Sequence, residues 1–63
     1  MTWTIGDRIE VTSGMLRGCR GCVVQVDYDD DDNPILYVRI DRNGEVACLR
    51  ESCAMREQSD GSE

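Results

Sequence analysis

Apolar and polar residues alternate over short stretches of this chain, with turn-forming residues between the stretches. From Arg8 to Thr12 the order is polar, Ile9, polar, Val11, polar, which is the period of a half-buried strand. Residues 22–26, Cys-Val-Val-Gln-Val, form a β-branched, apolar second run. Residues 35–40 place Leu36, Val38 and Ile40 on one face and Tyr37 and Arg39 on the other, so a third strand is expected there. Residues 45–49 read as a fourth strand, 50–52 as one helical turn and 53–57 as a short fifth strand. No stretch has the length and 3.6-residue period of an α-helix.

The connections carry their own signals. Residues 13–21 hold Gly14, Gly18 and Gly21, half of the six glycines in the chain, and are expected to form a loop. Residues 27–34 are rich in Asp and Asn, which bond their own backbone in turns, and end in Pro34, which has no ladder donor. Asp41-Arg42-Asn43-Gly44 ends in Asn-Gly, a strong signal for a tight hairpin turn. Five short strands with turns about every 8–12 residues point to a small sandwich or barrel. At this length a five-stranded SH3-like barrel is the better expectation, because closure removes exposed edges. Residues 1–57 would make the barrel and 58–63 a disordered acidic tail.

The pattern running from Gly6 to about Glu57 resembles a stand-alone KOW domain, the small barrel of NusG-type transcription factors and some ribosomal proteins. Gly6-Asp7 precedes the alternating Ile9 and Val11. Gly14, Leu16, Gly18, Gly21, Val23 and Val26-Asp27 follow in the family's glycine-punctuated order, and a fourth strand begins near Val46. The resemblance implies a binding module in which the loop 13–21 contacts RNA, a ribonucleoprotein or a protein of the transcription machinery.

Charge shapes this expectation. The chain has seven basic residues, all arginine, against thirteen acidic ones, for a formal net charge of −6. That total is unlike a general nucleic-acid binder, which neutralises phosphates with excess positive charge. The acidity is local, however. Asp27, Asp29, Asp30, Asp31 and Asp32 form one cluster and Glu57, Asp60 and Glu63 another, so eight of the thirteen acids lie in these two stretches and five face the seven arginines elsewhere. Arg17 and Arg20 flank the glycine-rich loop and are expected to contact anions, since the guanidinium fork matches phosphate. Tyr37 and Arg39 share an outward strand face where an aromatic ring could stack a base. Met15 and Leu16 at the loop tip, if exposed, would suit a protein partner. A protein-only adaptor or inhibitor using that tip or the acidic loop is the alternative reading. The acidic loop would there steer a basic partner.

Four cysteines without a histidine raise metal chemistry. Cys19 and Cys22 form C-x-x-C, and Cys48 and Cys53 form C-x4-C, so together they could supply the four thiolates of a zinc-stabilised domain. Against this, all four fall where the resembled family carries apolar residues, and reduced cysteine packs as a small hydrophobe. Core thiols with no cofactor are therefore the expectation, with zinc and a disulfide or redox use as alternatives. Asp27, Asp29, Asp31 and Asn33 begin like a calcium loop, but Asp32 and Val38 stand where such a loop has glycine and a carboxylate.

No catalytic constellation is legible. The commonest acid–base residue is missing, no Ser or Cys has a base beside it in sequence, and neither common phosphate-binding glycine loop occurs. A non-enzyme is expected. The N-terminus has no basic start and apolar run, and no apolar stretch reaches membrane-spanning length, so a cytoplasmic protein with reduced thiols is expected.

Overall fold

A computed structural model describes residues 3–57. The expected tail at 58–63 lies outside the described residues. Five strands follow in order: β1 (Arg8–Val11), β2 (Arg20–Tyr28), β3 (Pro34–Ile40), β4 (Val46–Arg50) and β5 (Ala54–Arg56), with one 3-10 turn, Glu51–Cys53, between the last two. Every pairing is antiparallel, and the strands form one sheet in the order β4-β3-β2-β1-β5. The all-β expectation of five strands holds. Closure does not follow: β4 and β5 are the two edges of the sheet, and no ladder joins them among the described residues.

Alternation decides which face is buried. Ile9, Val11, Val23, Leu36, Val38 and Ile40 are buried, and Trp3, Leu16, Cys19, Val26, Ala47, Leu49 and Ala54 pack against them. The cross-strand partners agree, with Val23 opposite Val38, Val26 opposite Leu36, and Leu36 opposite Leu49. One feature of β2 breaks the simple period. The register shifts between Val23 and Gln25, leaving Val24 as an extra residue. Before this bulge Gly21 and Val23 point inward, and after it Val26 does. Without it Gln25 and Asp27 would follow Val23 into the core. A bulge also bends its strand and raises the local twist. β2 is longer than its apolar run suggests because Asp27 and Tyr28 still pair with Ile35 and Pro34.

Two glycines are dictated by geometry. Gly21 is buried where β2 meets β3, and a Cβ there would lie 2.4 Å from the Arg39 carbonyl oxygen and 2.6 Å from Val38 Cγ1. Gly44 adopts φ +73° in the β3–β4 turn. That turn is wider than Asn-Gly alone predicts. Gly44 N donates to Ile40 O at 2.7 Å and Ile40 N to Glu45 O at 2.8 Å, while Asn43 Oδ1 accepts from Glu45 N at 3.0 Å. Asn43 thus caps the turn with its side chain and leaves the left-handed conformation to Gly44.

The segment before β1 is also bound in. Gly6 N donates to Val23 O at 2.7 Å and Val23 N to Asp7 O at 2.8 Å. Arg56 lies over the Trp3 ring at 4.7 Å from its centroid and pairs with Asp7 at 3.2 Å, a cation–π contact backed by an ion pair. Among the described residues no helix is long and apolar enough to cross a membrane.

Candidate anion-binding groove

The meander brings two connections together. The loop 12–19 enters β2 at Arg20, and the turn 41–44 leaves β3 at Ile40, so both lie at one end of the central strand pair. Asp41 N donates to Arg20 O at 2.9 Å and ties them. Between them runs an open groove lined by Arg17, Gly18, Cys19, Arg20, Asp41 and Arg42. The loop has a fixed form. Gly18 N donates to Val11 O and Val11 N to Cys19 O, both at 2.8 Å, while Gly14 and Gly18 each adopt φ +90°.

The arginines divide into two groups. Arg8 grips Asp41 with both terminal nitrogens, Nη1 to Oδ1 at 3.0 Å and Nη2 to Oδ2, and its Nε donates to Glu57 Oε1 at 3.3 Å. Those bonds, the Asp41 one foremost, raise the Arg8 pKa above its ordinary value and hold the Asp41 carboxyl below the usual range. Arg20 Nη1 lies 3.4 Å from Glu57 Oε2, and its Nε lies 3.9 Å from Glu10 Oε1. Arg50 pairs with Asp29 at 3.1 Å and Arg56 with Asp7. The side chains of Arg17, Arg39 and Arg42 make no ion pair or hydrogen bond among the described residues. Two of these three, Arg17 and Arg42, line the groove.

The residues singled out in the sequence do not form one cluster. Arg17 and Arg20 meet in the groove. Met15 is fully exposed on the same loop. Leu16 is not an exposed tip residue: it packs against the core, because the loop folds back over the end of the sheet. Tyr37 and Arg39 lie on the outer face as expected, Tyr37 opposite Gln25 and Cys48, and Arg39 opposite Cys22 and Val46. The Tyr37 phenol is pushed above its ordinary value by its charge interaction with Cys48, then by burial and Asp27. Arg42 was missed. It stands in a turn between an acid and an asparagine and reads as a solvated turn residue. Its signal is topological: in a meander the β1–β2 and β3–β4 connections share one end of the sheet.

The cysteines are dispersed. Cys19 packs against the core, as a core thiol should. Cys22 alternates with the buried Gly21 and Val23 and therefore lies on the outer face, and Cys48, between the inward Ala47 and Leu49, is exposed. These two correct the expectation of four core thiols. The zinc alternative loses its geometry too, since β3 runs between Cys22 and Cys48. Among the described residues no three or more Cys, Asp or Glu side chains are grouped to hold a metal.

The acidic loop 29–33 is built around Asp29. Its Oδ1 accepts from the backbone N of Asp31 and of Asn33, each at 2.9 Å, and its Oδ2 accepts from Arg50. The Asn33 amide is the main reason its carboxyl sits below the ordinary range. Asp32 takes φ 64° to close the loop. The second carboxylate of the calcium-like spacing thus serves the backbone instead.

Comparison with known proteins adds no relative: no family model, no curated protein and no solved structure matches the chain. The groove therefore has to be interpreted from its own chemistry.

Proposed function

We propose that this protein is a non-catalytic binding module of KOW type, an SH3-like fold whose glycine-rich loop docks on RNA, a ribonucleoprotein or the transcription machinery. The reading rests on one observation above others: two guanidinium groups without partners among the described residues, Arg17 and Arg42, line the same groove as Arg20 in a chain whose net charge is −6. Unpaired arginines lining one groove offer several N–H donors to one phosphate chain, and their forks suit its oxygens. The antiparallel order of the sheet, the fifth strand returning to the first and the bend at Val24 support the SH3-like assignment.

The test is an NMR titration of labelled protein with single-stranded and structured RNA. Shifts are expected at Gly18, Arg20 and Arg42, weakening with added salt. Two to three phosphate contacts on a single strand give a slope of log affinity against log salt of roughly −1.4 to −2.1. The charge-reversed variant Arg17→Glu/Arg42→Glu should keep a folded spectrum and lose binding. Undiminished binding by that variant would refute the groove.

A second reading, a protein-only adaptor, draws on the full exposure of Met15 on the same loop. It predicts a captured protein partner with which RNA does not compete, and whose binding Met15→Ser weakens.

A further inference from the structure

Two carboxylates at the groove oppose an anionic ligand: Asp41 in its lining, already gripped by Arg8, and Glu57 on Arg20. We infer that Glu57 is a built-in competitor for Arg20, setting how tightly the groove holds a phosphodiester chain. The inference rests on the anion-binding reading above. Glu57 follows β5, and its backbone N donates to Arg8 O at 2.9 Å, which fixes its position. Its Oε2 lies 3.4 Å from Arg20 Nη1 and its Oε1 3.3 Å from Arg8 Nε, so one carboxylate bridges two arginines of adjacent strands. The two sides of this pair differ in exposure. The Glu57 side chain is 27% exposed and that of Arg20 is 59% exposed. Arg20 therefore presents its guanidinium to the groove while an anion of the protein's own occupies part of its donor set.

A ligand phosphate has to share Arg20 with Glu57 or displace it. The same holds more weakly for Glu10, whose oxygen is 3.9 Å from Arg20 Nε. Arg17 and Arg42 make no ion pair among the described residues. The groove thus has two ready contacts and one restrained contact. A single small anion gains little from it, whereas a chain with several phosphates engages Arg17 and Arg42 first and then contends for Arg20. Glu57 keeps that complex weak, with fast release.

The experiment measures fluorescence anisotropy of a dye-labelled single-stranded RNA dodecamer against wild type, E57Q, R20Q, R20Q/E57Q and R17E/R42E over a range of salt. E57Q is expected to bind about threefold to tenfold tighter, because the isosteric amide keeps a hydrogen-bond acceptor and drops the charge. Its salt slope should steepen by up to about 0.7, the value of one further phosphate contact. R20Q/E57Q should show no gain over R20Q. A folded E57Q with wild-type affinity overturns the inference, and so does an equal gain in the R20Q background, which would mean a general charge effect. If R17E/R42E abolishes binding in either case, the groove reading stands without the competitor. Absence of binding by both wild type and E57Q overturns both. Should E57Q not fold, E10Q replaces it, with a gain of about twofold expected and no gain counting against the inference.

Discussion

A single missing methyl group fixes how closely β2 and β3 approach. Gly21 is buried, and the carbonyl of Arg39 occupies the space a Cβ would need. Backbone sits on one side of the clash, so no side-chain rotation relieves it. Gly21→Ala should cost at least about 3 kcal/mol. The whole stability of a domain this size is on the order of 3–9 kcal/mol, so the variant should be largely unfolded at room temperature or show a much lower urea midpoint. A midpoint within experimental error of wild type would show that the strands can part. The sequence flagged Gly21 only as one of three loop glycines. Its actual role depends on Val38 and Arg39, residues on another strand, and no local pattern contains that information. Met15 and Leu16 make the same point from the other side: adjacent apolar residues look alike in sequence, yet one is fully exposed and the other packs on the core.

At the level of elements, the alternation of Ile9 with Val11 and of Leu36 with Val38 and Ile40 was enough to place β1 and β3 and their buried faces. The run Cys-Val-Val-Gln-Val was not, because its three valines cannot all lie on one face of a regular strand. The bulge resolves the conflict by spending Val24 on the turn of phase, so that Val23 and Val26 both reach the core. Deleting Val24 should therefore restore a regular strand, with Gln25 and Asp27 outward and Val26 still inward, and remove only the bend. A dispersed NMR spectrum with Val26 still in the core and a modestly lowered urea midpoint is the expected result. Loss of amide dispersion would mean that the bend itself is needed to shape the sheet.

Over the whole molecule, ion pairs join parts of the chain that are remote in sequence. Arg8 binds Asp41 across 33 residues and Glu57 across 49, and Arg50 binds Asp29 across 21. None of these pairings could be read from local spacing, which is why the sequence showed only a surplus of acid and a set of apparently similar arginines. Asp29 and Asp41 both have lowered pKa values. The unfolded chain, with ordinary Asp values near about 3.9, takes up protons first as the pH falls. The stability these two carboxylates contribute is complete above that range and is lost as the pH drops through their lowered folded values. The urea midpoint should hold from neutral pH to about 5 and fall below about 4, with a shallower fall in D29N/D41N. An acid dependence identical in the double variant would remove these carboxylates from the account.

The loop 29–33 and the turn 41–44 cap opposite ends of β3, which at seven residues spans roughly 23 Å. One end carries the arginine groove and the other the run of aspartates, so the protein is an electric dipole aligned with its central strands. On the anion-binding reading proposed above, a polyanion would be drawn to the first end and repelled by the second, so that molecules would approach it already turned the right way round. A strand coated in this way would show solvent aspartates, and the next basic protein to arrive would meet carboxylates in place of phosphates.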